Sequence, residues 1–145
     1  MNKGKVVHKR LIEAEVSLSE AELLREEKVS NIATVTRLYQ SVIYGLFALF
    51  ELDNIGTLTH AELIDRFEND FVERGIFKMD YLEAMRFAYN FTPECDYANM
   101  RQPVEGDINY LFPLVEEFVA SVTEYTKTGQ FWLKVAESHE FSKDR

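Results

Sequence analysis

The sequence predicts an all-α protein, an antiparallel up-and-down bundle of four to five main helices with a short C-terminal helix. Three observations carry this. Thr59 and Glu62 have the spacing in which two side chains reciprocally satisfy free N–H groups at a helix start. Leu63, Phe67 and Phe71 then recur every fourth residue and form one apolar stripe, and Gly75 follows as a left-handed stop. Other apolar-periodic segments flank this one, with only short breaks between them.

In chain order, Val7, Leu11, Ala14, Leu18 and Ala21 step by four and three, as one face of a long first helix. Ser19 and Glu22 also have capping spacing, but the stripe runs through them unbroken. Lys28–Ser30 reads as a turn, with Ser30 as N-cap of a second helix over about Asn31–Leu52. That helix carries Val35, Leu38, Tyr39, Val42, Leu46 and Phe50, and its later half is apolar nearly all round, as a central buried helix is. Tyr39, Tyr44 and Phe47 are expected in the core.

Asp53–Leu58 forms a loop before the helix at Thr59. A fourth helix is expected to start at Asp80, boxed with Glu83, and to end near Thr92-Pro93, because the residue before proline avoids helical geometry. Glu94–Pro103 is the longest irregular stretch and the expected functional loop. A fifth helix covers roughly Val104–Lys127, facing inward with Leu111, Leu114, Val115, Phe118 and Val122. Pro113 predicts a kink or a late start there. Gly129 should end it, with a short sixth helix over Phe131–Phe141. Residues 1–145 read as one domain, with 130–145 as an extension docked on the bundle or free.

Composition bounds the function classes. At 145 residues, 46% hydrophobic and 13% aromatic, the chain can bury roughly 70% of its unfolded surface. A formal charge of −9 disfavours broad nucleic-acid binding and suits a basic protein partner. Cys95 is the only cysteine, which excludes an internal disulfide and fits a reducing compartment. The longest apolar run, Val42–Phe50, is far shorter than a bilayer span. The expectation is a cytoplasmic protein with no membrane contact and no cofactor.

The order of several segments resembles a HEPN domain, a prokaryotic helical family often encoded beside minimal nucleotidyltransferases. The resemblance runs from about Ala14 to Val122. It rests on the first-helix pattern, on the aromatic second helix YQSVIYGLFAL, on His60-x-x-Leu63-x-x-x-Phe67-x-x-x-Phe71-Val72-x-x-Gly75, and on Asp96-Tyr97. It implies a homodimer and a nucleotidyltransferase partner. Active relatives are ribonucleases using an arginine and a histidine separated by four to six intervening residues. Here the residues five to seven before His60 are Asp53, Asn54 and Ile55; before His139 they are Trp132, Leu133 and Lys134; before His8 they are Met1, Asn2 and Lys3. No window holds an arginine, so the nuclease motif is absent and the chain reads as a module rather than an enzyme. The resemblance places Asp96, Tyr97 and the nearby Arg101 in a recognition loop, with Tyr44 or Tyr97 a candidate nucleotidylation acceptor. The alternative is a ribonuclease with a rearranged site built from Arg86 and His60.

A third pattern, Glu51–Glu62, has features of a calcium-binding EF-hand loop. Gly56 falls at its turn, and Glu51, Asp53, Thr57 and Glu62 fall at ligand positions. Glutamate stands where aspartate is expected first, and Ile55 offers no side-chain oxygen. An ordinary interhelix turn capped by Thr59 explains the same residues. The aromatic tail, Phe131, Trp132, Val135 and Phe141, is expected to dock as the sixth helix or to serve as an interface.

Overall fold

The computed structural model describes residues 3–93 and 101–139, with side chains as far as 128. It is an all-helical bundle of five α-helices: α1 Lys3–Glu26, α2 Asn31–Leu49, α3 His60–Phe67, α4 Met79–Tyr89 and α5 Glu105–His139.

Residue pairs along the helices fix their directions. Lys3 reaches Glu51, Ser41 donates to the Ala14 carbonyl at 2.8 Å, and Arg37 meets Glu20, so α1 and α2 form an antiparallel hairpin. Small residues at the seam, Ala14, Ser17 and Ala21 against Ser41, let the two backbones approach closely. His60 lies beside Tyr39 and Phe71 beside Phe50, so α3 runs in the same direction as α2. The loop between them travels back along the bundle, and this is the one step at which the chain does not reverse. Arg86 beside Asp65 with Phe77 beside Phe71, and Tyr81 beside Glu117 with Phe87 beside Tyr110, make α4 antiparallel to both α3 and α5.

Helix ends follow local chemistry. Ser30 accepts from the Ala33 amide at 3.2 Å, and Thr59 and Glu62 form the full reciprocal box. Three C-terminal ends share one motif in which a left-handed residue and the residue after it each donate an amide to a carbonyl of the last turn. Gly75 (φ 76°) occupies that place after α3, whereas Lys28 (φ 51°) and Glu51 (φ 56°) occupy it after α1 and α2. A glycine there avoids the Cβ crowding that the lysine and glutamate bear.

Several expected boundaries are corrected. The helix begun at Thr59 is α-helical only to Phe67, and Glu68–Val72 form a single π turn. In an α-helix, a residue four further on lies about 40° round the axis. The wider turn returns Phe71 to the face of Phe67, and their rings stack with centroids 5.9 Å apart. α4 begins at Met79 with Lys78 as a cap that makes no side-chain bond, so Asp80 and Glu83 do not form a box. α5 begins at Glu105 with Pro113 inside it, not late, and its backbone passes helically through Gly129 to His139. The fifth and sixth helices are thus one. An interior glycine costs only about 1 kcal/mol against alanine, which a long helix absorbs.

The core is most aromatic where α3, the π turn, α4 and α5 meet. Phe67, Phe71, Phe77 and Phe118 are all buried and each ring packs on at least two of the others, with Tyr81 and Tyr125 at the edge. Gly45 makes room for this cluster: a Cβ there would sit 2.8 Å from Phe118 Cε2. By length and composition α2 could cross a membrane, but 67% of that window is buried in the bundle, as in a core helix.

Candidate functional site

A groove of about 240 Å³ opens where α3 starts against the middle of α2, lined by Tyr39, Gln40, Ile43, Tyr44, Phe47 and His60. It brings together two residues singled out from sequence, Tyr44 and His60. Its construction follows from the parallel α2–α3 step: the returning loop delivers the capped start of α3, and therefore His60, beside Tyr39. Tyr39 Oη and His60 Nδ1 share a hydrogen bond of 3.1 Å, and their rings lie 5.7 Å apart. Tyr89 of α4 also packs on Tyr39, with ring centroids 6.3 Å apart.

Cations sit at two edges of the groove. The Arg10 guanidinium lies 4.9 Å from the Phe47 ring centroid and 5.9 Å from that of Tyr44. It is a structural clamp: Nε donates to the Leu52 carbonyl at 3.1 Å, Nη2 to the Asp53 carbonyl, and Nη1 to Glu13 at 2.7 Å. A cation suits the carbonyl-rich end of α2. Arg37, one turn before Gln40 and partly exposed, donates to Gln40 Oε1 at 2.8 Å. That bond leaves the Gln40 amide nitrogen as the part of the side chain with donors for a ligand.

The other sequence candidates lie elsewhere. Arg86 donates from one nitrogen to Glu68 at 2.8 Å and Asp65 at 3.0 Å, and this pairing, Glu68 first, holds its proton more firmly than usual. His60 is bonded to Tyr39, so the structure gives Arg86 and His60 separate partners. Arg101 forms a two-pronged pair with Asp107, at 2.7 and 2.9 Å, and stacks on Phe91 at 5.2 Å. Asp107 also accepts the Val104 amide at 2.8 Å, capping α5. The Arg101 bonds, helped by that amide, hold the Asp107 carboxyl below the usual range against the opposing effect of burial. Arg101 therefore staples the end of α4 to the start of α5. Asp96 and Tyr97 lie outside the described residues.

The calcium-like residues are turned to other uses. Glu51 pairs with Lys3 at 3.4 Å, Asp53 lies 4.0 Å from Lys9, and Glu62 Oε1 caps the Thr59 amide at 2.8 Å. Thr57 is exposed in the loop. Among the described residues no group of three His, Cys, Asp or Glu side chains is placed to hold a metal.

Two larger hollows are lined mainly by residues with structural partners. One, of about 500 Å³, lies at the α1–α2 turn and includes Arg25, which bonds Asn109 at 2.7 Å and covers Phe112. The other, of about 430 Å³ between α4 and α5, holds Lys78, Tyr81 and Ser121. There Glu117 ties Lys78 and Tyr81 together, and burial raises the Tyr81 phenol above its ordinary value.

Helical periodicity assigns Tyr39 to the core and does not distinguish Gln40 or Arg37. Tyr39 is indeed buried, yet its hydroxyl faces a histidine. The available signal was Gln40, a polar residue in the apolar stretch of α2. No protein-family model, curated protein or solved structure matches this chain.

Proposed function

We propose that this chain is a non-catalytic, HEPN-like interaction module that senses a nucleotide through the groove between α2 and α3. The observation that carries this reading is the convergence of Tyr39, Gln40, Tyr44 and His60 on one cleft of about 240 Å³. Small-molecule sites typically run from about 300 to 1,000 Å³, so this cleft suits one planar ring system with the rest of the ligand outside. Tyrosine and histidine faces stack on a base, and the Gln40 amide donates to its edge. Arg37 stands one turn before Gln40, where phosphate of the same ligand would emerge and would replace one exposed carboxylate, Glu20 at 3.3 Å, against the two that hold Arg86. The order of HEPN-like motifs supports a nucleotidyltransferase as protein partner in a toxin–antitoxin-like pair, acting in the cytoplasm.

The ribonuclease alternative is less well supported. Phosphate would have to displace Asp65 and Glu68 from Arg86 before that guanidinium could assist cleavage.

Calorimetry of the full chain with adenosine, AMP and ATP tests the proposal. Saturable binding is expected, weakened at least tenfold by Tyr44→Ala. Arg37→Ala should weaken ATP more than adenosine. No heat with any of the three at millimolar concentration, or binding indifferent to Tyr44→Ala, would remove the groove as a nucleotide site.

A further inference from the structure

The first helix is apolar on two opposite faces. Its inner face buries Val6, Val7, Ala14 and Ala21 against the bundle. On the outer face, Ile12, Val16 and Leu23 are 49%, 50% and 53% exposed. With Ser19 they step by four, three and four, the spacing of a seam against another helix. Isolated exposed apolar residues are ordinary, but these are aligned on one helix face and form a patch.

What borders the seam decides its occupant. Helix geometry puts the residues just after Ile12 and Ser19 on one flank, and those just before Val16 and Leu23 on the other. The first flank is Glu13 and Glu20, and the second is Glu15 and Glu22. Every flanking position along the seam is glutamate. Glu26 closes the strip at the helix end, and Lys5, His8 and Lys9 bound it before Ile12. On the flank nearer α2, Glu13 pairs with Arg10 at 2.7 Å and Glu20 with Arg37 at 3.3 Å. On the other flank Glu15 and Glu22 are exposed and make no ion pair among the described residues.

A second copy does not fit this strip. Packed antiparallel, with Ile12 against the partner's Leu23, it would set the flanking glutamates of one α1 against those of the other, and parallel packing would do the same. Charges on the flanks of a helix pair choose the partner, and like charges facing there reject it. We infer that the outer face of α1 docks an amphipathic helix of a different protein, one whose own apolar strip is flanked by lysine or arginine. Its apolar side chains cover Ile12, Val16 and Leu23. Its cations meet Glu15 and Glu22 directly and compete with Arg37 for Glu20, an exchange between exposed groups that costs little. The long aliphatic stems of those cations also shield the edges of the patch. Such a docking face rests on the reading of the chain as an interaction module and gives that module a partner chemistry. It shares no lining residue with the groove between α2 and α3.

The test is fluorescence anisotropy of a labelled synthetic helix of about three heptads, with leucine along its seam and lysine on both flanks, titrated with the full chain. Saturable binding is expected, weakening as salt rises. Val16→Glu and Leu23→Glu should each weaken it about tenfold or more, with circular dichroism unchanged because both side chains are exposed. Glu15→Lys combined with Glu22→Lys should weaken the lysine-flanked helix about tenfold and admit a glutamate-flanked one in its place. Absence of binding at millimolar chain would overturn the inference. So would equal binding of a peptide of the same composition with its seam scrambled, or indifference to Val16→Glu. A dimer of the chain alone that Val16→Glu dissolves would also overturn it, because the occupant would then be a second copy. Calorimetry of Val16→Glu with AMP should match the wild type, so that failure of the docking face and failure of the nucleotide groove are read separately.

Discussion

Two aromatic regions of this bundle are built from similar ring chemistry and do different things. Around Phe67, Phe71, Phe77 and Phe118 the rings are hydrocarbon, buried and in contact on several sides. Around Tyr39, Tyr44 and His60 the rings carry polar atoms and border an open groove. The first region is closed by a π turn that realigns Phe71 and by Gly45 inside α2, which admits Phe118. The second is opened by the returning α2–α3 loop. The difference teaches that aromatic content alone separates neither core from site. What separates them is whether each ring also brings a hydrogen-bonding atom to an unfilled space.

Substitutions in and around the two regions test that contrast. The largest effect is expected from Phe67→Ala, which empties the centre of the closed cluster. It should cost about 4 kcal/mol in denaturant unfolding and leave nucleotide affinity of the remaining folded protein unchanged. Arg10→Ala comes next, at about 3 kcal/mol, because it strands the Leu52 and Asp53 carbonyls and Glu13. Unlike Phe67→Ala it should also weaken groove binding, since Arg10 backs the Tyr44 and Phe47 rings.

Gly45→Ala should destabilise by about 1–2 kcal/mol in thermal unfolding, since the buried Phe118 ring must give way against the gain in helix propensity. The smallest effect is the pH response. Pairing with Lys78 holds the Glu117 carboxyl low, and Arg101 does the same for Asp107. Both groups have depressed folded values, so their stabilisation is present above the ordinary carboxylate range of about 4 and is lost as pH falls through the lowered values. Asp107→Asn should flatten the acid limb of the melting-temperature profile below about pH 4, and Glu117→Gln should flatten it less, being more exposed.

Much of the architecture was legible in the sequence because the signals were local. Thr59 with Glu62, Ser30 and Gly75 each act within one turn, and each sits where its spacing predicts. The left-handed stops at Lys28 and Glu51 left no such mark, since neither residue favours that conformation by itself. Glu68–Val72 form a π turn because of ring stacking among Phe67, Phe71 and their neighbours, a tertiary cause that helix periodicity does not encode. The groove was half visible. Tyr44 and His60 could be named singly, but their meeting depends on α3 running parallel to α2, and sixteen residues of separation do not specify that direction. Arg86 and Arg101 were plausible anion ligands from residue type alone. Their carboxylate partners, Asp65, Glu68 and Asp107, became evident only in three dimensions.

The measurement that tests the central claim most directly is an NMR titration of the full chain with AMP, following aromatic and backbone resonances together. The account predicts saturable shifts concentrated at Tyr39, Gln40, Tyr44 and His60, with the Phe67, Phe77 and Phe118 resonances unmoved. Absence of shifts at millimolar AMP, or shifts centred on another surface, would contradict it.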